Sequence, residues 1–125
     1  MLMVKTKLAP SPIHGMGLFA EEFIPKGTVV WKFVPGFDVE IEQEVVDKYP
    51  EHVRKWMTHF AYLDMYVNRW IMCSDDARFV NHADDPNMLP DYTTDPYGPD
   101  VACRDIQPGE EITDNYTHFE DAPAP

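Results

Sequence analysis

Basic residues are almost absent from the second half of this 125-residue chain. Residues 75–125 hold thirteen acids against two arginines, whereas residues 1–74 hold nine acids against eight Lys and Arg. Because so negative a surface repels phosphate backbones, we expect no direct binding of nucleic acid. The same acids would attract a basic partner such as a lysine-rich tail. An alternative explanation is that the acids merely keep a small domain in solution, and net charge alone does not separate the two.

Long apolar runs and paired cysteines are missing as well. No stretch approaches the ~18 apolar residues that cross a membrane, so no membrane partner is expected. The N-terminus lacks the apolar stretch of a secretory signal. Cys73 and Cys103 have no CxxC spacing and fit small buried hydrophobes in a reducing compartment. We therefore expect a soluble intracellular protein, cytoplasmic or nuclear depending on its source.

The composition supports one hydrophobic core. The chain is 44% hydrophobic and 13% aromatic, too apolar for disorder, and its length is that of one domain. We predict a single domain over residues 1–125 that ends in a Pro-rich tail at 121–125.

Short strands divided by Pro/Gly turns dominate the predicted secondary structure. Helices are expected only in the middle, near 41–49 and over a stripe of Val53, Trp56, Met57, Phe60 and Ala61, with one helical turn at 77–82. Residues 84–100 read as an irregular loop and 101–106 as a strand. Because β and α segments do not alternate, we predict a mainly β fold with short helices.

A first sequence block, His14-Gly15-Met16-Gly17-Leu18-Phe19-Ala20, is a glycine-punctuated loop that leads into a strand. Glycines let backbone groups approach a ligand closely. The block lacks the third glycine and helix of a dinucleotide fingerprint, and no Gly-Lys-Ser/Thr follows it. Taken alone, it is as well explained by a simple turn.

A second block runs from Asp76 to Asn87 and places polar side chains in an apolar stretch. Asn81 offers donors and an acceptor, which suits the edge of an adenine ring. His82 stands among several acids, but a second histidine at ligand spacing is missing, so we predict no metal site. A third block, Gly109–Tyr116, is a turn and a short strand that end in a tyrosine.

Together the three blocks resemble the SET domain family of protein-lysine methyltransferases. The resemblance rests on the glycine loop, on Arg78-Phe79-x-Asn81-His82-x-x-x-Pro86-Asn87 and on Gly109-Glu110-Glu111-Ile112-Thr113-x-x-Tyr116, in that order. It covers residues 4 to about 119. Residues 38–70 match no motif and correspond to the family's variable insert, which we expect to be helical.

The resemblance implies a fold and an activity. The fold would be the β-clip, small curved sheets in which the segment after Asn81-His82 threads with the C-terminal motif as a pseudoknot. The protein would use S-adenosylmethionine to methylate a lysine of a basic, histone-like protein. A homodimer that completes the channel is compatible with so small a domain.

The resemblance also assigns site residues by position. Tyr116 aligns with the catalytic tyrosine. Phe33 falls where a channel tyrosine is frequent, and Pro90 falls near an aromatic position that Tyr92 or Tyr97 would serve instead. We predict that Phe33 and Tyr92 line the substrate channel. The predicted cofactor contacts are His14, Gly15, Met16, Gly17, Asn81, His82, Tyr116 and Phe119.

Some positions depart from the family pattern. Asn115 stands where an aspartate often precedes the catalytic tyrosine, and Ala83 replaces a common serine. No cysteines follow Tyr116, so a zinc-binding post-SET element is not expected. These departures leave a second hypothesis open, a catalytically silent acidic SET fold that binds a basic protein tail.

Overall fold

The protein is described here by a computed structural model that covers residues 1–119, and the predicted tail at 121–125 lies outside the described residues. The strands are β1 Thr6–Pro10, β2 Met16–Ala20, β3 Val29–Trp31, β4 Val39–Ile41, β5 Ala61–Asp64, β6 Arg69–Met72, β7 Asn81–His82, β8 Met88–Pro90, β9 Asp100–Ala102 and β10 Thr113–Asp114. The helices are α1 Gln43–Val46 and α2 Glu51–Phe60, with 3-10 turns at Asp76–Phe79 and Tyr116–His118. The predicted mainly β fold with short helices is confirmed.

The strands form four small sheets rather than one large one. β1 and β2 make an antiparallel hairpin, β9 lies between β3 and β8, and β6 lies between β4 and β5. β7 and β10 form a parallel pair of two residues each. Because each sheet is so small, none can bury a face alone, and the sheets depend on one another for a core.

The main core joins residues from all three sequence blocks. Leu18 of the first block and Ile112 of the third are fully buried, and Val80 of the second packs with them. Each such side chain contributes about 1.5–3 kcal/mol when it leaves water. Burying these three side chains in one cluster brings the polar residues of the three blocks together.

The variable insert contains a sheet as well as helices. Ile41 and Ala61 were predicted on helical stripes, but they lie in β4 and β5, which pair with β6 on either side. Ile41 lies opposite Trp70, whose indole N–H donates to Gln43 Oε1 over 2.8 Å. A short apolar run looks alike in a helix and in a buried strand, so periodicity alone could not separate them.

The region after β7 also differs from the sequence expectation. The predicted loop at 84–100 contains β8, and the predicted strand at 101–106 is reduced to β9, Asp100–Ala102. Met88 of β8 is fully buried opposite Ala102. Proline and glycine at neighbouring positions hid this strand, because they are read as loop signals.

Asn87 fastens this segment to the third block. Its Nδ2 donates to Glu111 O over 2.8 Å and to Glu110 Oε2 over 3.0 Å. Its Oδ1 accepts a 2.9 Å hydrogen bond from Thr113 N. Next to it, β7 and β10 pair with Asn81 opposite Thr113 and His82 opposite Asp114. This is the contact that the expected pseudoknot requires.

We expect Asn87→Ala to lower the free energy of unfolding by about 2–4 kcal/mol, because buried backbone groups lose their partners. Urea unfolding followed by fluorescence would measure the loss. Gln107→Ala, which truncates an exposed amide, is the matched control and should change stability little. Equal effects of the two substitutions would contradict the fastening role of Asn87.

Candidate active site

The glycine loop is a tight turn between β1 and β2. Ser11 N donates to Gly15 O over 2.8 Å, and Gly15 adopts a φ of 44°, which favours glycine. Gly17 is buried, and a Cβ there would lie 2.5 Å from Glu111 Oε2. Gly17 therefore allows the third block to approach the loop, whereas His14, Gly15 and Met16 are exposed.

The side-chain amide of Asn81 ties the loop to the other two blocks. Its Nδ2 lies 3.0 Å from His14 O, 3.3 Å from Met16 O and 2.9 Å from Glu111 Oε2. Only 7% of Asn81 is exposed. The donor group that suggested an adenine contact is thus used within the protein, where it fixes the shape of the loop.

Glu111 is a part of the site that sequence reasoning missed. Its carboxylate accepts hydrogen bonds from Ser11 Oγ at 2.7 and 2.9 Å as well as from Asn81. The available signal was a carboxylate in a strand segment next to the buried Ile112. Tertiary packing turns this acid toward the loop rather than toward solvent, and the local sequence does not show such packing. The signal was therefore weak.

Tyr116 is held to the second block at two points. Its backbone N donates to His82 Nδ1 over 3.1 Å, and its hydroxyl donates to Val80 O. The rings of Tyr116 and His82 meet edge to face with centroids 5.2 Å apart. His82 Nε2 lies 3.1 Å from Asp84 Oδ1. The tyrosine ring therefore has a defined position beside the pair of strands β7 and β10.

Tyr116 also lines a cavity of about 350 Å³. Its wall is mostly aromatic and apolar and draws on α2, on the sheet of β4, β6 and β5, and on β8 and β9. The aromatic side chains on the wall are Trp31, Phe60, Tyr62, Trp70, Tyr92, Tyr97, Tyr116 and Phe119. Such a wall suits a long side chain with an apolar stem.

Comparisons with known proteins give the family of the chain and a structural likeness. The sequence model of the SET domain matches residues 15–117. The chain belongs to the SET domain family. Among 221 matching solved chains is one described as "Humanized mutant of the Chaetomium thermophilum Polycomb Repressive Complex 2 bound to the inhibitor GSK126". The similarity has 26% identity and a TM-score of 0.64 and covers 95% of this chain but 16% of the other. This SET domain thus spans about a sixth of that chain's length.

The structure of this SET domain brings some of the predicted channel residues to the cavity and not others. Tyr92 lies on the wall and donates to Asp64 Oδ2 over 3.0 Å. Phe119 also lies there, its ring 4.8 Å from that of Tyr62. Phe33 is a core residue instead, stacked at 4.3 Å on Tyr97, and Tyr97 is the member of this pair that reaches the wall.

Two carboxyl groups on the cavity wall were not predicted. Burial raises the pKa of Asp100 to about 7. Burial, and then the charge of Asp100, raise the pKa of Asp114 well above its ordinary value. Two buried wall atoms, Asp114 Oδ1 and Trp31 Nε1, have no hydrogen-bond partner within residues 1–119. Two residues of the cavity wall therefore contain buried polar atoms without partners.

Three further features of the SET domain concern metal, cysteine and membrane. Within residues 1–119, no group of three or more His, Cys, Asp or Glu is arranged to hold a metal ion. Cys73 and Cys103 are both free thiols, and burial raises the pKa of Cys73 well above its ordinary value. None of the helices in this part of the chain is long and apolar enough to span a membrane.

We expect Asp114→Asn to be more stable than the unaltered protein at pH 7.5. Folding raises the pKa of Asp114, so its stabilising contribution is complete below the unfolded-state value, about 4, and is lost as the pH rises through the folded-state pKa. Urea unfolding between pH 4 and 8 should show a difference that shrinks toward pH 4. Asp85→Asn, at a fully exposed position, should show none. A variant less stable at pH 7.5 would overturn the assignment.

Proposed function

We propose that this SET domain transfers a methyl group from S-adenosylmethionine to the side-chain amine of a lysine in a basic protein. The position of Tyr116 carries the proposal. Tyr116 contacts His82, next to Asn81 and the glycine loop, and it also lines the aromatic cavity. A tyrosine that belongs to both a candidate cofactor surface and a candidate side-chain channel supports transfer from one to the other.

The residues around the glycine loop fit the cofactor. His14, Gly15 and Met16 are exposed, the space beside Gly15 is open, and the Asn81 amide holds the carbonyls of His14 and Met16 in place. The nearby carboxylate of Glu111 favours a cationic ligand. We propose that the backbone of residues 14–17, His82, Tyr116 and Phe119 hold S-adenosylmethionine, with Asn81 fixing the loop. When bound, S-adenosylmethionine supplies an electrophilic methyl carbon on a sulfonium.

The cavity would prepare the lysine for reaction. A free lysine has a pKa near 10.4, so about 99.9% of it is charged and non-nucleophilic at neutral pH. An aromatic wall disfavours the ammonium and lowers its pKa. A hydroxyl that donates to a carbonyl, as that of Tyr116 does to Val80 O, has oxygen lone pairs suited to accept an amine N–H. Tyr116 would thereby orient the amine and reduce its freedom.

The acidic surface would recruit the substrate. Asp84, Asp85 and Asp105 are exposed acids of the second half of the chain, which carries a large excess of negative charge. Such a field raises the rate of encounter with a lysine-rich tail and is weakened by salt. We propose a histone-like or similarly basic protein as the substrate.

We expect Tyr116→Phe to lose most methyl transfer, at least ~100-fold, because the amine loses the hydroxyl that orients it. The assay is transfer of labelled methyl groups from S-adenosylmethionine to an extract of basic proteins. Cofactor affinity measured by calorimetry should stay within about twofold, since the ring remains. Tyr66→Phe, at an exposed tyrosine, is the matched control. Full activity of Tyr116→Phe would remove Tyr116 from the mechanism.

We expect Asn81→Ala to weaken cofactor affinity about tenfold or more, because the glycine loop loses its tether to the third block. Calorimetric titration with S-adenosylmethionine would measure the change. Asn87→Ala serves as the comparison, since this asparagine fastens the same block without contacting the loop, and its main effect should be on stability. Unchanged affinity in Asn81→Ala would refute the role of the tether.

A silent binding module remains the second candidate because of Asn115. This residue stands where the family often has aspartate, but its side chain accepts from Thr117 N over 3.0 Å and begins the last 3-10 turn. The asparagine at this position thus has a structural role, because it begins the turn that contains Tyr116. The labelled-methyl assay decides between the candidates, since a binding module would associate with the basic proteins without labelling them.

A further inference from the structure

We infer that Asp114 is a catalytic residue of the proposed transfer, which receives the lysine ammonium in the cavity and takes its proton. This inference rests on the proposed function and adds to it the base that makes the amine nucleophilic. It depends on the placement of one buried carboxyl group, on the contrast with the other buried carboxyl groups, and on the charges that surround it.

Asp114 is buried, lines the cavity and has an unused oxygen. Only 5% of the residue is exposed, and its Oδ1 has no hydrogen-bond partner within residues 1–119. Its backbone is fixed, because β10 pairs with β7 and Asp114 O accepts a 2.8 Å hydrogen bond from Ala83 N. Buried polar atoms in native proteins nearly always have partners, so an exception in a residue that lines a cavity points to a ligand.

Two other aspartates, Asp38 and Asp64, are as deeply buried as Asp114, and both are satisfied. Asp38 accepts from Val34 N over 2.9 Å and from the N-terminal ammonium over 2.7 Å. Asp64 accepts from the backbone of its own turn at 2.8 and 3.0 Å and from the Tyr92 hydroxyl. These two carboxylates hold turns and strands together. The Oδ1 atom of Asp114 makes no such hydrogen bond within residues 1–119, so a role in holding the fold together does not explain an acid at this position.

The charges around Asp114 favour a cation. Asp100 of β9 lies on the same wall, and it is the group whose charge adds to the raised pKa of Asp114. Burial raises the pKa of Tyr62 and of Tyr92, a hydrogen bond to Glu40 raises that of Tyr97, and burial raises that of Cys73, so all four stay neutral.

Three further titratable residues line the cavity: His59 of α2, Arg78 of the first 3-10 turn and Tyr116 of the second. The Arg78 guanidinium donates to Cys73 O over 3.1 Å and lies 5.8 Å from the Phe60 ring centre. The ring of His82, the β7 partner of Asp114, contacts Asp84 and the backbone of Tyr116. An arriving ammonium therefore finds two acids on the wall, Asp100 and Asp114.

The proton balance is simple. The step starts from the ionised form of Asp114: one N–H bond of the ammonium breaks, its proton passes to a carboxylate oxygen of Asp114, and the electron pair stays on nitrogen. An ion pair thereby becomes two neutral groups, which a desolvated cavity favours. The nitrogen lone pair then forms the bond to the methyl carbon while the carbon–sulfur bond breaks and its electrons remain on sulfur. Asp114 returns its proton to water after the methylated ammonium leaves.

The test is the pH profile of single-turnover methyl transfer by Asp114→Asn, with the same basic-protein extract and labelled S-adenosylmethionine. At pH 7.5 we expect a loss of about 100-fold, a usual size for a missing general base. Activity should then recover about tenfold per pH unit toward pH 10, because more lysine arrives already neutral. Cofactor affinity should be unchanged. Glu21→Gln, at an exposed acid of the first half of the chain and with the same change of charge, should keep the unaltered rate and profile.

Each outcome has a separate meaning. If the unaltered protein labels no substrate, the proposed function fails. If it does, and Asp114→Asn keeps its rate and profile, the inference about Asp114 is wrong while the proposed function stands. Loss of activity without recovery at high pH, or with loss of cofactor affinity, would also overturn it by indicating a structural role. Asp114→Ala should show the same recovery, so the result does not depend on the folding of one variant.

Discussion

The parallel pairing of β7 with β10 is the contact on which the rest of the site depends. It is only two residues long on each side, and the hydrogen bonds of Asn87 to the third block support it. Through it, Asn81 reaches the glycine loop, His82 meets Tyr116, and Asp114 faces the cavity. A parallel pair between segments some thirty residues apart cannot form locally, so the site assembles only when the whole chain has folded.

The local motifs predicted the family and the general fold, because the motif residues carry their meaning in their order along the chain. The strands β4, β5 and β8 escaped prediction because short apolar runs and Pro/Gly signals do not separate strand from helix or loop. Phe33 and Tyr97 could not be told apart as wall residues, since they stack on each other and tertiary packing decides which one faces the cavity. Glu111 and Asp114 were missed because in sequence they are two more acids in an acidic half.

A buried carboxyl group without a full set of hydrogen bonds lowers the stability of the fold, but it leaves the cavity wall able to bind a charged group. Asp38 and Asp64 are buried with full sets of hydrogen bonds and contribute to the fold. Asp114 is buried without a partner for Oδ1, which lowers stability at neutral pH. Sites that must bind a charged group commonly retain such strain, because satisfying the group within the protein would remove its capacity to bind.

The sheet of β4, β6 and β5 lies within the variable insert, yet Tyr62 and Trp70 of this sheet form part of the cavity wall. The glycine loop belongs to the hairpin of β1 and β2, and it is held by its own turn and by Asn81. The site is therefore modular: redesign of residues 58–72 would change which side chain is admitted while the glycine loop keeps its shape. A library of substitutions confined to this sheet would show whether the choice of methyl-accepting side chain can be changed without changing the glycine loop.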